Sequence, residues 1–394
     1  MRLRPATTGR TRFDIGDIVR RHRDALEAAQ DLTLAQRRVL SAIAQCRTAA
    51  LGGHVDVCCS CGYEHPAYNS CRNRHCPKCQ ALAQERWIAA RSERLLPVKH
   101  FHVVFTLPGR LRPLAKARPR AIYNALLAAA SSTLADLAHS RLEGARLGVT
   151  MVLHTWTRDL RFHPHVHAIV TAGGLADDDL RWVASSPKYL FPVKVMGALL
   201  RGKMIAALRD LHRSGAFDGL DSLAEPGAFD HLMAAVARSS WVVYAKKPFR
   251  HAEHVTAYLG RYTHRVAIAN SRLVNVTGEA VTFRTKDGKT VTLPPVAFLR
   301  RFVLHVLPEG FHKIRHYGLY CSALARPGGK LDLARRLLAP DDASSPPDVE
   351  REWVDLLFVL TGRDVSCCPR CGGPVLRVLV PPSSRGPPPR RIAE

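Results

Sequence analysis

Arg161-Phe-His-Pro-His-Val-His-Ala-Ile-Val-Thr-Ala-Gly-Gly174 is the stretch whose reading decides the fold. Side chains alternate across a β-strand, so His165 and His167 share one face while Val166 points into the core behind them. Two neutral imidazoles side by side on a rigid strand make a ready site for a divalent metal. Just upstream, Gly148-Val-Thr-Met-Val-Leu-His154 reads as the partner strand of a hairpin turning near Arg158 and Asp159. That pairing lays His154 across from residues 163 to 165, with Cβ atoms about 5 Å apart. His154 is therefore the expected third ligand. His163 lies on the same face by alternation, but Pro164 marks the strand as only starting there. The competing reading is a row of histidines on a solvated strand face.

Further along, Tyr258-Leu-Gly-Arg-Tyr262 puts two phenols four residues apart, the spacing that brings side chains together on one helix face. A phenol has a pKa near 10 and needs a cation or a metal-bound phosphate beside it to act as a nucleophile. Arg261 and Arg265 flank the second tyrosine, and Lys246, Lys247 and Arg250 lead into a helix expected from about Ala252 to Thr263. One tyrosine in a basic helix reads as packing or base stacking. A pair following a His-hydrophobic-His strand reads as apparatus for cutting single-stranded DNA through a phosphotyrosine link. The rival is a three-histidine zinc hydrolase, but no glutamate adjoins the histidines and no full His-x-Glu…Pro-Cys-x-x-Cys deaminase signature is present.

Charge and length agree with a nucleic-acid partner. The 394 residues can form two or three domains, and 58 lysines and arginines against 33 acidic residues leave a formal charge of +25. Such an excess favours a polyanion, bound in a salt-dependent way; a ribosome-associated or merely sticky basic protein is the bland alternative. Residues 1–10 lack the apolar core of a secretory signal, and no uninterrupted apolar run reaches the ~18–20 residues that span a bilayer.

The 11 cysteines cluster in short pairs, which reads as metal ligation. Cys58-x2-Cys61 and Cys76-x2-Cys79 are expected to close one tetrahedral structural zinc site. Cys59, Cys71, His75, His54 and His65 are then surplus, unless Cys71 and His75 help build a second site. Arg72, Arg74 and Lys78 within this block point to DNA contact, with pure scaffolding as the alternative. Cys367-Cys-Pro-Arg-Cys371 is half a knuckle that could pair with Cys321 or another chain, or be a remnant; no second zinc is expected there.

The expected fold is α/β, a central antiparallel sheet with helices on one face, preceded by a helical zinc-binding module. Residues 14–50 read as two helices, the second capped by Thr33 and ending at Gly52-Gly53. A basic helix should follow from about Ala81 to Leu96, a strand over His102–Leu107, and an alanine-rich helix over residues 119–140. Trp241–Ala245 reads as a strand and Asn270–Leu293 as a β-meander. Pro340–Glu350 reads as an acidic linker and Pro381–Arg391 as a disordered Pro/Arg-rich end. The expected domains are residues 1–98 (helical, zinc-binding, DNA-binding), 99–325 (catalytic, with a partly helical insertion at about 176–240) and 326–394 (a tail with the half knuckle).

Three motifs in one order carry a family resemblance: Tyr68-Asn-Ser-Cys-Arg-Asn-Arg-His-Cys-Pro-Lys-Cys-Gln80, Phe162-His-Pro-His-Val-His167 and Tyr258-Leu-Gly-Arg-Tyr-Thr-His-Arg-Val-Ala267. From about residue 15 to residue 320 the chain resembles the insertion-sequence 91 family of transposases, members of the wider His-hydrophobic-His (HUH) endonucleases. The resemblance implies an HUH-endonuclease-like sheet and rolling-circle transposition by Mg2+- or Mn2+-dependent single-strand nicking and strand transfer. A 5′-phosphotyrosine would form, and the freed 3′-OH could prime replication. It matches His165 and His167 to the metal pair, Tyr258 and Tyr262 to the nucleophiles, His102–Leu107 to the first strand motif, and the cysteine block to a zinc-binding domain. The implied partners are single-stranded DNA at mobile-element ends and target DNA, with no membrane, in a bacterial cytoplasm at the nucleoid. A plasmid replication initiator or relaxase would share this chemistry, although no Gly-x4-Gly-Lys-Ser/Thr motif marks an attached helicase. A non-catalytic zinc-dependent DNA-binding protein is the alternative from another class.

Overall fold

A computed structural model describes residues 12–246, 248–249, 255, 267–286, 288–339, 358 and 364–382. Two helices open it, α1 (Ile15–Ala29) and α2 (Leu34–Gln45). Thr33 caps α2 through a full capping box: its hydroxyl accepts from the Gln36 N–H, and the Gln36 side chain accepts from the Thr33 N–H. The helix stops at Gln45, well short of Gly52-Gly53, because Cys46 is already in extended backbone and turns its thiol inward. The two glycines instead open β1 (Gly53–Cys58), which pairs with β2 (Glu64–Tyr68). A Cβ on Gly53 would sit 2.3 Å from the Ala67 carbonyl oxygen, so this close approach needs glycine. Helix α3 (Gln80–Ser92) follows.

The chain then runs through β3 (His100–Thr106), α4 (Arg112–Ala117), α5 (Pro119–Arg141), β4 (Arg146–Trp156), β5 (Phe162–Leu175) and β6 (Trp182–Ala184). Helices α6 (Val193–Arg213) and α7 (Ala228–Arg238), the helical insertion, lead to β7 (Val243–Ala245). A meander of β8 (Leu273–Val276), β9 (Val281–Arg284) and β10 (Thr290–Leu293) precedes β11 (Ile314–Gly318) and β12 (Val375–Val380). The central sheet has the order β11-β4-β5-β3-β7, with β6 beside β5, and all its pairings are antiparallel.

Alternation decides the two faces of this sheet. Phe101, Val103 and Phe105 of β3, Val149, Met151 and Leu153 of β4, and Val166 and Ala168 of β5 are buried against α4–α7. Each large side chain so buried is worth roughly 1.5–3 kcal/mol. Helix α5 is long and apolar enough to cross a bilayer by length and composition, yet here Ile122, Leu126, Leu127 and Leu134 make it the core helix of this layer. The opposite face carries the histidines at the hairpin end and, beyond them, Val152 and Ile169 packed with Leu96, Val255, Leu331 and Ala334. The helix Lys330–Leu338 thus covers part of the second face. The expectation of helices on one face only is corrected.

Two further contacts cut across the expected domains. Ile15, Ile18, Leu40 and Ile43 of the first two helices share one core with Phe283 of the meander and with Phe298 and Phe302 of the helix Pro295–Val303. Strand β12 pairs antiparallel with β1 over six residue pairs, giving a sheet ordered β12-β1-β2. The region after residue 326 is therefore no simple tail. Tyr258, Tyr262, Lys247, Arg261 and Arg265 lie outside the described residues, as do residues 340–350 and 383–391, most of the expected linker and end segment.

Candidate metal centres

The hairpin register pairs His154 with His165 and Val152 with His167. Ring nitrogens of His154, His165 and His167 all come within 4.8 Å of one another. Trp156 stacks on the His154 ring at 4.5 Å. The Nδ1 of His165 is 2.6 Å from the His163 carbonyl oxygen. A carbonyl only accepts, so Nδ1 carries the proton and Nε2 keeps a lone pair for a ligand bond. The Nδ1 of His167 is 2.8 Å from Nε2 of His102, whose ring stacks at 5.1 Å and 5°. His102 is buried on β3 and is the neighbour that orients His167. The first-strand motif pointed to this segment; what it did not single out was His102 as the partner of His167.

Burial pushes the His165 pKa down to about 4, and burial with nearby Lys246 pushes that of His102 down to about 3. His167 is held well below the ordinary range by burial and then by the neighbouring histidines. At neutral pH these rings are uncharged, the form that ligates metal. His163 stands outside the convergent group, 2.8 Å from the Arg112 guanidinium through its Nδ1.

The cysteines assemble differently from the expectation. Cys58, Cys61, Cys76 and Cys79 do not form one quartet: Cys76 and Cys79 meet Cys46 and Cys71, while Cys58 and Cys61 meet Cys368 and Cys371. In the first group Sγ of Cys79 is 3.3 Å from that of Cys46 and 3.6 Å from that of Cys71. The reason is the course of β1, which carries Cys58 away from Cys76 and toward β12. His75 is no ligand in either group: its Nδ1 faces Asn73 Oδ1 at 3.1 Å, and its Nε2 accepts from the Leu307 N–H at 3.1 Å. A count would have hinted at the arrangement. Three CxxC pairs plus Cys46 and Cys71 make eight thiols, enough for two tetrahedral sites.

A family model described as a putative transposase matches residues 148–327, and one described as a transposase zinc-binding domain matches residues 18–107. Putative transposase y4qJ from Sinorhizobium fredii (strain NBRC 101917 / NGR234) is 42% identical over 392 residues, covering 95% of this chain and 97% of the relative. The transposase for insertion sequence element IS801 from Pseudomonas savastanoi pv. phaseolicola is 31% identical over 290 residues, covering 69% of this chain and 67% of the relative. The chain belongs to the insertion-sequence 91 family of transposases. No solved structure matches it.

In this transposase the zinc-binding-domain match contains all of Cys46, Cys71, Cys76 and Cys79, a complete four-donor set. Two basic residues expected to face DNA are internal braces instead. Arg74 donates to the carbonyls of Phe311 and Pro308. Lys78 donates to Asp14 at 2.6 Å and to the Cys46 carbonyl at 2.9 Å. Asp14 also caps α1 and accepts from Asn270, so one carboxylate ties helix, cysteine loop and meander together. Arg72 and Lys246 are exposed.

Proposed function

We propose that this transposase works by rolling-circle transposition, nicking one DNA strand at the mobile-element ends through a 5′-phosphotyrosine intermediate. The observation that carries the reading is the convergence of the His154, His165 and His167 side chains on a sheet held by its own backbone ladder. Three neutral imidazoles would hold a divalent ion with open positions, and the Mg2+ or Mn2+ implied by the family resemblance would there polarise the scissile phosphate and stabilise charge on the leaving 3′-oxygen. Tyr258 or Tyr262 supplies the nucleophile. The phenolic oxygen bonds to phosphorus, the P–O3′ bond breaks, and the phenol proton is transferred on balance to the departing 3′-oxygen.

Val255, three residues before Tyr258 in sequence, is buried with Val152 and Ile169 on the histidine-bearing face. Exposed Lys246, at the end of β7, supports phosphate binding beside the histidines. Lys247, Arg261, Arg265 and Arg72 are proposed to contact DNA as well, and the setting is the bacterial cytoplasm at the nucleoid. Two phenols allow a second cleavage or strand resolution while the first is esterified. The test is incubation with labelled single-stranded element-end DNA and Mg2+ or Mn2+, followed by denaturing electrophoresis. A covalent adduct that vanishes in the Tyr258→Phe/Tyr262→Phe double variant is expected. An adduct mapped only to Tyr123, Tyr189, Tyr244 or Tyr317 would overturn the assignment, and no adduct at all would overturn the mechanism.

A further inference from the structure

Cys58, Cys61, Cys368 and Cys371 bring their sulfurs within 4.8 Å of one another, although Cys61 and Cys368 are 307 positions apart in the sequence. The Sγ atoms of Cys58 and Cys371 are 3.5 Å apart and those of Cys61 and Cys368 are 3.8 Å apart. A tetrahedral site with Zn–S bonds of about 2.3 Å has edges of about 3.8 Å, whereas a disulfide holds its sulfurs at about 2.05 Å. Both pairs sit in turns whose N–H groups face sulfur. Ser60 and Cys61 donate to Cys58 Sγ, and Arg370 donates to Cys368 Sγ, each at 3.4 Å. Such donors favour thiolate.

The backbone around these turns is already joined. The Cys59 N–H donates to the Pro374 carbonyl, and the turns continue directly into the paired strands β1 and β12. Along that pair the Arg377 guanidinium grips both oxygens of Asp56 at 2.8 and 3.2 Å. We propose that Cys58, Cys61, Cys368 and Cys371 hold a second structural zinc ion, which clasps the C-terminal knuckle to the N-terminal module. This site reaches beyond the zinc-binding-domain match, which ends at residue 107. Four thiolate donors select a soft thiophilic cation over Mg2+ or Ca2+, and binding releases the thiol protons to solvent. Cys59, Cys321 and Cys367 belong to neither quartet.

The test is elemental analysis of the full chain in reducing buffer, in a His165→Ala/His167→Ala background so that no ion at the triad is counted. About two zinc equivalents are expected, falling to about one in Cys368→Ser/Cys371→Ser and staying near two in Cys59→Ser/Cys367→Ser. One equivalent in the parent, two in Cys368→Ser/Cys371→Ser, or iron in place of zinc would overturn the proposal. Thiol alkylation of the unmutated chain gives a readout that needs no foldable variant. Cys368 and Cys371 should resist iodoacetamide far longer than Cys59, then react together with Cys58 and Cys61 once a chelator strips the metal. Equal labelling of Cys59, Cys368 and Cys371 before chelation would also sink it.

Discussion

The histidine triad and the cysteine quartet of Cys46, Cys71, Cys76 and Cys79 are built on opposite principles. His154, His165 and His167 stand on β4 and β5, which are fastened by ladder hydrogen bonds and by the apolar layer under α4–α7. Their geometry exists before any ion arrives. Cys46 follows the end of α2, and Cys71, Cys76 and Cys79 lie in the irregular loop between β2 and α3. There the ion is itself a large part of what holds the segment together. One site borrows the rigidity of the fold, and the other creates it.

The sharpest test of that contrast is Cys46→Ser. Structural zinc in small modules contributes an apparent ~10–16 kcal/mol, so losing a ligand should exceed the ~0.5–3 kcal/mol of an ordinary substitution and unfold the N-terminal module. Thermal melts with parallel zinc analysis would show it. A near-parental melt with zinc lost would break the comparison. His167→Ala should do the reverse: nicking falls about 10^3-fold or more, because several kcal/mol of charge stabilisation disappear. Its melt should move by less than about 2 kcal/mol. Collapse of the fold in that variant would mean the triad is structural too.

His102→Ala is expected to cost about 10–100-fold in Mn2+ affinity, since it loosens the ring of His167 without removing a ligand. Calorimetric Mn2+ titration checks this, and an unchanged affinity would leave His102 as packing alone. Acid is the gentlest perturbation. His100, His165, His305 and His316 are pushed down to about 4 and His102 to about 3, in each case first by burial. The unfolded chain takes up protons that the folded chain refuses. With the zinc sites filled and no ion at the triad, these histidines should therefore cost no stability above pH ~6.5 and lower it as pH falls toward ~4. Urea midpoints across that range measure it, and a flat profile would contradict neutral, buried histidines.

What could be read from the sequence follows the range of the interactions involved. The His165–Val166–His167 alternation, the hairpin that faces His154 with His165, and the Thr33 cap are local, and local periodicity announces them. The sulfur partners are not local. Cys58-x2-Cys61 and Cys76-x2-Cys79 look alike as text, and only the route of β1 sends them to different quartets. Arg74 and Lys78 resembled DNA contacts because a basic residue beside a knuckle looks the same whether it faces a phosphate or a backbone carbonyl. Cys368 and Cys371 looked like half a motif because the other half lies some three hundred positions earlier.

The pairing of β1 with β12 also sets an order of events in the cell. Ribosomes add about 5–20 residues per second, so β1 emerges roughly 15–60 s before its partner strand has been translated. Through that interval one side of β1 shows unpaired N–H and C=O groups, a template for stray strands from other nascent chains. A message broken before codon 375 would leave the edge open for good. Chaperone demand during synthesis, and clearance of truncated copies, should therefore centre on this one seam.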